Sequence, residues 1–399
     1  MRTGRKLLHR LAVVAAAAST AVALGGAAPA SALPPDHLPL HVTNNSGRGE
    51  QIHLYVLGVN LATGRLGYVD AGGTFTAWSG GSLPPSPAPD VAIAGPAGGG
   101  TTILQIPRGL SGRVYMSFGE KLKFFLSPDG LVQPAPWASG DPNHGILFDW
   151  SEFTYNDDGL WLNSSQVDMF SVPHSVGVTG ADGGSSTAGD LVAGGRDGIF
   201  DALAGQPGDW GRLIHTRADG TRLRVLSPHK GIDTAVFSDT YLDGYIAQAW
   251  DTYRDTTLTV VPFQHEPDKR FHGRTDGAGV LRFTDGGGAE VASFQRPTTK
   301  DVFGCDGRLH APNDHVVGPI ARTLCAALHR STLGFAHTQP TYDPTGFYTR
   351  DVTDHYSRVV HEHMVDGRAY GFAFDDVGGF ESLVHNGSPV AARITLTAF

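Results

Sequence analysis

Two carboxylic acids, Glu152 and Asp168, lie in one β-prone stretch of the sequence, residues 146–172, and have unlike neighbours. Glu152 stands between the aromatic residues Trp150 and Phe153, whereas short polar side chains precede Asp168. An apolar setting raises the pKa of a carboxyl group, while hydrogen-bond donors keep a carboxylate ionised. The stretch therefore predicts one proton donor and one proton acceptor, which is the pair that glycoside hydrolysis requires.

The same stretch carries side chains that suit a sugar. Alternate residues of a β-strand share a face, so Glu152, Thr154 and Asn156 are predicted to lie on one side of a sheet. The sequence from Asn156 to Gly159 is typical of a turn, and Trp161 begins the next predicted strand. A Trp beside hydroxyl and amide groups can stack on a sugar ring. The alternative is a sheet with one solvated face and a buried Trp, and the pattern alone leaves both open.

Asp168 does not fit a continuous strand. Trp161 and Ser165 have odd numbers and Asp168 an even one, so a regular strand would place Asp168 on the opposite face. If all three side chains line one groove, a β-bulge or a break must lie between Ser165 and Asp168. Upstream of the strand, Asp141 is a further candidate for substrate binding.

Three other acids compete for the catalytic roles. Asp157 and Asp158 fall within the predicted turn, where Asp is common for conformational reasons. Asp149 could face the groove and tune Glu152, although a structural or solvated role is the commoner outcome for such an acid.

The N-terminus has the composition of a secretory signal peptide. Four basic residues stand within the first ten positions, an Ala-rich apolar run follows, and Ala30-Ser31-Ala32 fits a cleavage site after Ala32. We therefore expect residues 1–32 to be removed and the protein to be secreted and extracellular. The sequence has no other long apolar run, so no membrane partner is expected.

The overall charge argues against nucleic acid as a partner. The chain has 30 Lys and Arg residues against 39 Asp and Glu, and without residues 1–32 the basic residues fall to 26, a formal charge of −13. Nucleic acids are bound through Lys and Arg, so we expect no such partner. A neutral glucan can be bound without an excess of Lys and Arg.

Cysteine and histidine patterns bear on structure rather than on catalysis. Cys305 and Cys325 are the two cysteines of the chain, and an even pair in an exported protein is expected to form a disulfide. His355, His361 and His363 are the strongest candidate metal ligands. However, the H-E-x-x-H motif is absent, and histidines two residues apart do not share a helix face. We expect neither a metal nor a cofactor.

The remaining patterns indicate a β-rich chain with three helices. Helical periodicity predicts helices over residues 239–253, 319–330 and 351–365. A stretch rich in Gly, Ser and Asp at residues 180–195 suggests a domain boundary. The predicted strands are 41–44, 52–59, 102–106, 114–118, 146–150, 258–262, 280–283, 370–374 and 392–399.

The run FDWSEFTYN…GLWLNSSQVDMFSVP, from Phe148 to Pro173, resembles glycoside hydrolase family 64, β-1,3-glucanases that release laminaripentaose. The similarity extends over nearly the whole chain after residue 32. Four further segments carry it: VFGCDG at 302–307, CAALHR at 325–330, YGFAFDDV at 370–377 and ITLTAF at 394–399.

The resemblance implies roles for individual residues. Glu152 would be the general acid and Asp168 the general base of an inverting hydrolysis, in which the carboxyl groups stand roughly 6.5–9.5 Å apart to admit a water molecule. At one of the implied sugar-binding positions, Ser165, the family usually has Thr, and the hydroxyl group is kept. The residues implied to line glucose subsites are Thr154, Asn156, Trp161 and Ser165.

The resemblance also implies a fold and a substrate. The fold is a β-rich, two-domain one: a thaumatin-like β-barrel or sandwich domain, a mixed α/β domain and a wide groove between them. Residues 33–185 with 367–399 would form the first domain, which carries the acids, and residues 186–366 the second. The implied activity is endo-type hydrolysis of β-1,3-glucan (laminarin, curdlan or fungal cell-wall glucan) to short oligosaccharides, chiefly pentaose, by a monomer.

Two alternatives come from other functional classes. A thaumatin-like β-glucan-binding protein without catalysis would need the Trp and the polar face but no acid/base pair, so the presence of both Glu152 and Asp168 favours the enzyme. A secreted metallohydrolase is disfavoured because a metal-ligand motif is missing from the sequence.

Overall fold

A computed structural model describes residues 33–399, so the signal peptide predicted at residues 1–32 lies outside the described residues. Residues 33–399 form 24 strands in five sheets, together with six α-helices. The chain is therefore β-rich, as predicted, but its sheets are open and none closes into a barrel within this range. None of the helices in this part of the chain is long and apolar enough to cross a membrane.

The strands, numbered in chain order, are β1 (His37–Asn44), β2 (Ile52–Asn60), β3 (Leu66–Val69), β4 (Phe75–Ala77), β5 (Ser86–Pro87), β6 (Ile93–Ala94), β7 (Thr101–Pro107), β8 (Leu110–Phe118), β9 (Phe125–Ser127), β10 (Gly130–Val132), β11 (Leu147–Asn156), β12 (Gly159–Ser164), β13 (Met169–Phe170), β14 (His174–Gly180), β15 (Ser185–Ala188), β16 (Ile214–Thr216), β17 (Arg222–Leu226), β18 (Leu258–Val260), β19 (Phe271–Thr275), β20 (Val280–Thr284), β21 (Glu290–Gln295), β22 (Thr338–Gln339), β23 (Leu383–Asn386) and β24 (Pro389–Leu396). The α-helices are α1 (Gly195–Ala204), α2 (Pro228–Asp233), α3 (Asp243–Asp255), α4 (Thr299–Gly304), α5 (Val317–His329) and α6 (His355–Glu362). Short 3-10 helices occur at Trp210–Leu213, Gly307–Leu309 and Pro344–Gly346.

The eight-stranded sheet positions both the predicted acid and the predicted sugar-binding face. Its strands run in the order β23-β12-β11-β8-β2-β3-β4, and β6 pairs with β2. From Glu152 onward along β11, half-buried residues alternate with buried ones. Glu152, Thr154 and Asn156 therefore share one face, while Phe153 and Tyr155 point to the other, which confirms the predicted alternation.

Two hydrophobic clusters surround this sheet. One contains Phe153 of β11 and Leu40 of β1, so it joins the large sheet to the five-stranded sheet β15-β14-β24-β1-β7. The other contains Trp150 of β11 together with Trp250 of α3 and Leu324 of α5. One face of β11 thus changes along its length from buried aromatic residues to half-exposed polar ones, and Glu152 is the first polar residue after that change.

The turn between β11 and β12 follows the sequence prediction. Asn156 and Gly159 are paired across the turn, and Asn156 Oδ1 accepts a hydrogen bond of 2.9 Å from the backbone N–H of Asp158. Gly159 has a φ of 119°, and a Cβ there would meet the carbonyl oxygen of Asn386 at 2.2 Å, so the position requires glycine. This tight turn places β12 directly beside β11.

The predicted disulfide is confirmed, because Cys305 and Cys325 are joined at an S–S distance of 2.03 Å. Cys305 caps α4 and Cys325 lies on α5, so the bond ties these two helices together. The three predicted helices correspond to α3, α5 and α6, with ends shifted by up to four residues. Helices α1, α2 and α4 were not predicted.

The strand predicted at residues 370–374 is wrong. Tyr370 makes one parallel bridge with Ser165, and the chain then turns. The turn forms because Asp375 is buried and its Oδ2 accepts a hydrogen bond of 2.9 Å from the backbone N–H of Gly371. A buried carboxylate needs hydrogen-bond donors. The turn supplies one to Asp375, and the chain therefore does not continue as the strand that the apolar pattern suggested.

Candidate active site

Glu152 is held by an arginine on the neighbouring strand. Arg113 of β8 lies directly opposite Glu152 of β11 in the antiparallel register. Two guanidinium nitrogens of Arg113, Nε and Nη2, lie 3.0 and 2.9 Å from Glu152 Oε1. The guanidinium also lies over the Trp150 ring, 4.6 Å from its centre. The aromatic core below the groove therefore supports the cation that orients Glu152.

Asp168 lies beside the same arginine because the strand is interrupted, as predicted. Strand β12 ends at Ser164, and the chain bends at Val167 and Asp168 before β13 begins. Asp168 Oδ2 lies 3.5 Å from Nη2 of Arg113, and Asp168 Oδ1 lies 3.2 Å from Nζ of Lys230. The same Arg113 nitrogen contacts both acids. The two oxygens that contact this nitrogen, at 2.9 and 3.5 Å, are therefore at most about 6.4 Å apart, just below the roughly 6.5–9.5 Å expected for the carboxyl groups of an inverting pair.

The pKa values of the two acids move in opposite directions. Burial raises the pKa of Glu152, and the nearby charge of Asp168 raises it further, against the effect of Arg113. Burial also favours the protonated form of Asp168, but the charges of Lys230 and Arg113 outweigh it and lower the pKa of Asp168 below 3.8. Glu152 therefore keeps its proton to a higher pH than Asp168 does.

Both acids remain partly accessible to solvent. The Glu152 side chain is 13% exposed and the Asp168 side chain is 17% exposed. A substrate and a water molecule can therefore reach them, while the low exposure keeps electrostatic interactions strong.

Thr154 and Trp161 are cross-strand neighbours on the predicted sugar-binding face. Trp161 is half-buried, and the ring of His385 on β23 stacks on it with centroids 4.2 Å apart and planes 20° from parallel. One face of the indole is therefore covered, which leaves the other face and the edge for a ligand. The hydroxyl of Thr154 is 2.8 Å from that of Ser111. His385 was not predicted, because only the pairing of β23 with β12 brings it here.

Two of the predicted substrate-binding residues have further structural contacts. Ser165 keeps 2% of its surface exposed and bridges to Tyr370. The carboxylate oxygens of Asp141 accept backbone hydrogen bonds from Ala135 at 2.8 Å and Asn143 at 2.7 Å, so Asp141 shapes the loop before β11. The binding roles of these residues remain predictions.

The competing acids have structural roles. Asp149 is 1% exposed, and its Oδ2 accepts hydrogen bonds from the backbone N–H groups of Ser171 and Val172 at 2.9 and 3.0 Å. Burial raises the pKa of Asp149 to about 7. Asp157 lies in the predicted turn and pairs with Arg108.

The histidines of the candidate metal cluster face different partners. His361 Nε2 contacts Asp375 at 2.8 Å, whereas His363 Nδ1 contacts the carbonyl oxygen of Val359 at 2.7 Å. His355 Nε2 lies 3.3 Å from the carbonyl oxygen of Asp351, four residues earlier in the chain. These separate contacts give each ring a structural partner of its own.

Two functional candidates, Arg113 and Lys230, were not predicted from the sequence. Arg113 precedes a predicted strand, and an isolated Arg there is a signal for a buried charge that needs an acidic partner. Lys230 lies in α2, and the Ser227-Pro228 dipeptide before it is a recognised helix-start signal. Neither signal identifies the partner, because that depends on contacts between distant segments.

Comparison with known proteins gives consistent similarities. The family model of glycoside hydrolase family 64, described as Beta-1,3-glucanase, matches residues 36–396. The chain is 50% identical over 378 residues to a glucan endo-1,3-beta-glucosidase of Cellulosimicrobium cellulans, which covers 94% of this chain and 68% of that protein. It is 49% identical, with the same coverage, to the protein of that name from Arthrobacter sp. (strain YCWD3).

Solved structures agree with these sequence relatives. The crystal structure of a laminaripentaose-producing beta-1,3-glucanase in complex with laminaritetraose is 54% identical, with a TM-score of 0.88 over 91% of this chain and 99% of that chain. A beta-1,3-glucanase domain of family 64 from Clostridium beijerinckii is 25% identical, with a TM-score of 0.76 over 92% of this chain and 100% of that chain.

Proposed function

Because this chain belongs to glycoside hydrolase family 64 and is an endo-1,3-beta-glucanase, we propose that it works by inversion, with Glu152 as the general acid and Asp168 as the general base. The observation that carries the proposal is the opposite displacement of the two pKa values around one shared guanidinium. An acid that holds its proton and a base that has lost its proton are both ready before substrate arrives.

The contacts of the two acids suit the proton transfers of such a reaction. Glu152 donates its proton to the glycosidic oxygen, and the negative charge that forms on Glu152 then lies beside Arg113, which stabilises it. Asp168 accepts a proton from a water molecule that attacks the anomeric carbon from the opposite side of the ring. Inversion at this carbon converts the β-linkage into an α-anomer.

The relatives suggest the substrate and the products. One solved relative is described as laminaripentaose-producing and holds laminaritetraose. We therefore propose that this chain, as a monomer, releases short laminari-oligosaccharides, pentaose among them, from laminarin, curdlan or fungal cell-wall glucan. Thr154, Asn156, Trp161, Ser165 and Asp141 are the proposed sugar-binding residues. The non-catalytic alternative is not favoured, because the full-length relatives are enzymes.

The location and layout of the protein are also proposals. The signal-like residues 1–32 support secretion to the extracellular space. The two packed sheets that share a core fit a thaumatin-like sandwich. Residues 33–185 with 367–399 would form that domain, and residues 186–366 the α/β domain across the groove.

The stereochemistry of hydrolysis tests the proposal. Proton NMR of the first products from a β-1,3-glucan should show the α-anomer before mutarotation, and mass analysis should show short oligosaccharides. First appearance of the β-anomer would rule out inversion. The absence of any product would refute the proposed activity itself.

A further inference from the structure

The proposed base, Asp168, is contacted by a cation from a segment far away in the sequence. Lys230 Nζ lies 3.2 Å from Asp168 Oδ1 and 4.4 Å from the centre of the Trp137 ring. We infer that Lys230, held between these two groups, is a positioning residue that keeps Asp168 ionised and so sets the acid limit of hydrolysis. The inference rests on the proposed role of Asp168 as the base.

The backbone fixes Lys230 relative to Asp168. Strands β13 and β17 pair Met169 with Leu226, the residues that follow Asp168 and precede α2. The backbone N–H of Ser227 donates to the carbonyl oxygen of Asp168 at 3.0 Å. Helix α2 begins at the next residue and carries Lys230 on its first turn. The ammonium group therefore approaches the carboxylate from a rigid frame.

The Trp137 ring holds the ammonium without competing for its charge. An aromatic face attracts a cation through its quadrupole and carries no negative charge of its own. The Lys230 side chain is 15% exposed, and among residues 33–399 its one ion-pair partner is Asp168. Its direct carboxylate contact is therefore with Asp168, in a poorly solvated place.

Arg113 cannot replace Lys230 in this role. Nη2 of Arg113 lies 2.9 Å from Glu152 Oε1 but 3.5 Å from Asp168 Oδ2. The guanidinium is therefore shared and lies closer to Glu152 than to Asp168. When Glu152 gives up its proton, Arg113 faces two negative charges. Lys230 alone then remains dedicated to Asp168.

Besides Lys230, two groups that face Asp168 can carry a positive charge, Arg113 and His229. Burial lowers the pKa of His229, so this ring loses its proton at a lower pH than an ordinary histidine does. Burial raises the pKa of Tyr115 and Tyr356, so both phenols stay protonated and neutral. The groups facing Asp168 are Arg113 and Tyr115 of β8, Glu152 of β11, His229 and Lys230 of α2, and Tyr356 of α6.

The sign of the effect follows from these charges. Lys230 favours the ionised form of Asp168, so removing its charge raises the pKa of that carboxyl group. The base then loses its function at a higher pH than in the wild type. Since kcat/KM reports ionisations of the free enzyme, its acid limb moves to higher pH.

The test compares Lys230→Met, which keeps an unbranched apolar stem over Trp137, with Lys230→Arg, which keeps the charge. On a soluble laminari-oligosaccharide, Lys230→Met should move the acid limb of kcat/KM upward by ~1 pH unit or more, the scale for a charge at this range. Lys230→Arg should move it far less. Lys300→Met is the matched control, because Lys300 pairs with Asp233 at 2.7 Å and half of its side chain is exposed.

An acid limb in Lys230→Met equal to that of the wild type would overturn the inference, and so would an equal shift in the Lys300→Met control. Should Lys230→Met not fold, Lys230→Gln provides the same comparison. Trp137→Leu should move the limb in the same direction by a smaller amount, since the ammonium is then less confined. An acid limb of kcat/KM in Trp137→Leu equal to that of the wild type would refute the proposed role of Trp137 in holding Lys230.

A direct titration separates this inference from the proposed function. The carboxyl carbon resonance of Asp168, assigned with Asp168→Asn, can be followed by NMR against pH in the wild type and in Lys230→Met without turnover. A higher pKa in Lys230→Met supports the electrostatic coupling, and equal values refute it. If Asp168→Asn hydrolysed glucan normally, the proposed base would be wrong even with the coupling intact.

Discussion

Two clusters in this molecule combine carboxylates with cations and differ in what they do. At the candidate active site, Glu152 and Asp168 share one guanidinium, that of Arg113, and Lys230 contacts Asp168 alone. In the interior, the arrangement is reversed, because Asp375 is shared by two cations. Arg330 lies 2.8 Å from its Oδ1, and His361 lies 2.8 Å from its Oδ2.

The two arrangements have opposite consequences for protonation. Burial disfavours ionised Asp375, but the charges of His361 and Arg330 outweigh it, so the pKa of Asp375 stays below 3.8. The same interaction, which outweighs the burial of the His361 ring, raises the pKa of His361 above 6.5. At the candidate active site, burial and the charge of Asp168 instead raise the pKa of Glu152, against the effect of Arg113. A buried carboxylate between two cations is a fixed charge, whereas a buried acid beside a second carboxylate can hold a proton and donate it.

Solvent access separates the clusters as well. The Asp375 side chain is fully buried and that of Arg330 is 2% exposed, whereas the groove acids keep more than a tenth of their surface open. Similar ion-pair chemistry thus serves stability where water is excluded and is available for catalysis where substrate can enter. Mutating each cluster should expose this difference.

The largest expected effect is on catalysis in the groove. Glu152→Gln and Asp168→Asn should each reduce hydrolysis by ~10²-fold or more, the usual scale for loss of a general acid or base. The fold should persist, because both changes preserve shape at partly exposed positions. Reducing-sugar release and the melting temperature measure the two quantities. Near-full activity in either variant would mean that the acid concerned is not catalytic.

The interior cluster should respond in the opposite way. Asp375→Asn leaves the buried Arg330 and the partly buried His361 without their carboxylate, and breaking a buried ion pair costs ~3–5 kcal/mol of folding free energy. Urea unfolding should show this loss. In the fraction that remains folded, the pH profile of kcat/KM should match that of the wild type. An Asp375→Asn variant with unchanged stability and an altered pH profile of kcat/KM would contradict the assignment of stability to this cluster and catalysis to the other.

Local sequence patterns were enough for the elements that present the groove acids. The period of two in β11 predicted the shared face of Glu152 and Thr154, and the parity of Asp168 predicted the break after β12. Turn chemistry predicted the connection at Asn156, and cysteine pairing needed no more than an even count. The strand face, the break and the turn depend on residues that are neighbours in the sequence. The disulfide depends on the tendency of two cysteines in an exported protein to pair.

Contacts between distant segments could not be predicted in this way. Lys230 reaches Asp168 only because β13 pairs with β17, and the pattern of residues within either strand does not specify its partner. Residues 370–374 looked like a strand, yet Asp375 turns the chain toward Arg330, which lies 45 positions earlier. Helices α2 and α4 have six residues each, too short for apolar periodicity to stand out.

The smallest predicted effect extends the comparison from charges to aromatic rings. Trp161 is half-buried beside Thr154 in the groove, whereas Trp150 is 2% exposed in the core below Arg113. If the groove is built for ligands, Trp161 should contribute to affinity and little to stability. A stacked aromatic contact is worth roughly 0.5–1.5 kcal/mol beyond its buried area.

Trp161→Ala should therefore weaken binding of β-1,3-linked oligosaccharides in a Glu152→Gln background, where slow turnover cannot distort calorimetry. Trp161→Phe, which keeps an aromatic face, should lose less affinity. The melting temperature should change little, because His385 already covers one face of the ring and the rest is partly solvated. A core Trp would instead cost ~3–5 kcal/mol of stability on truncation. A large fall in melting temperature with unchanged affinity would place Trp161 with Trp150 in the core and leave the groove without its proposed stacking surface.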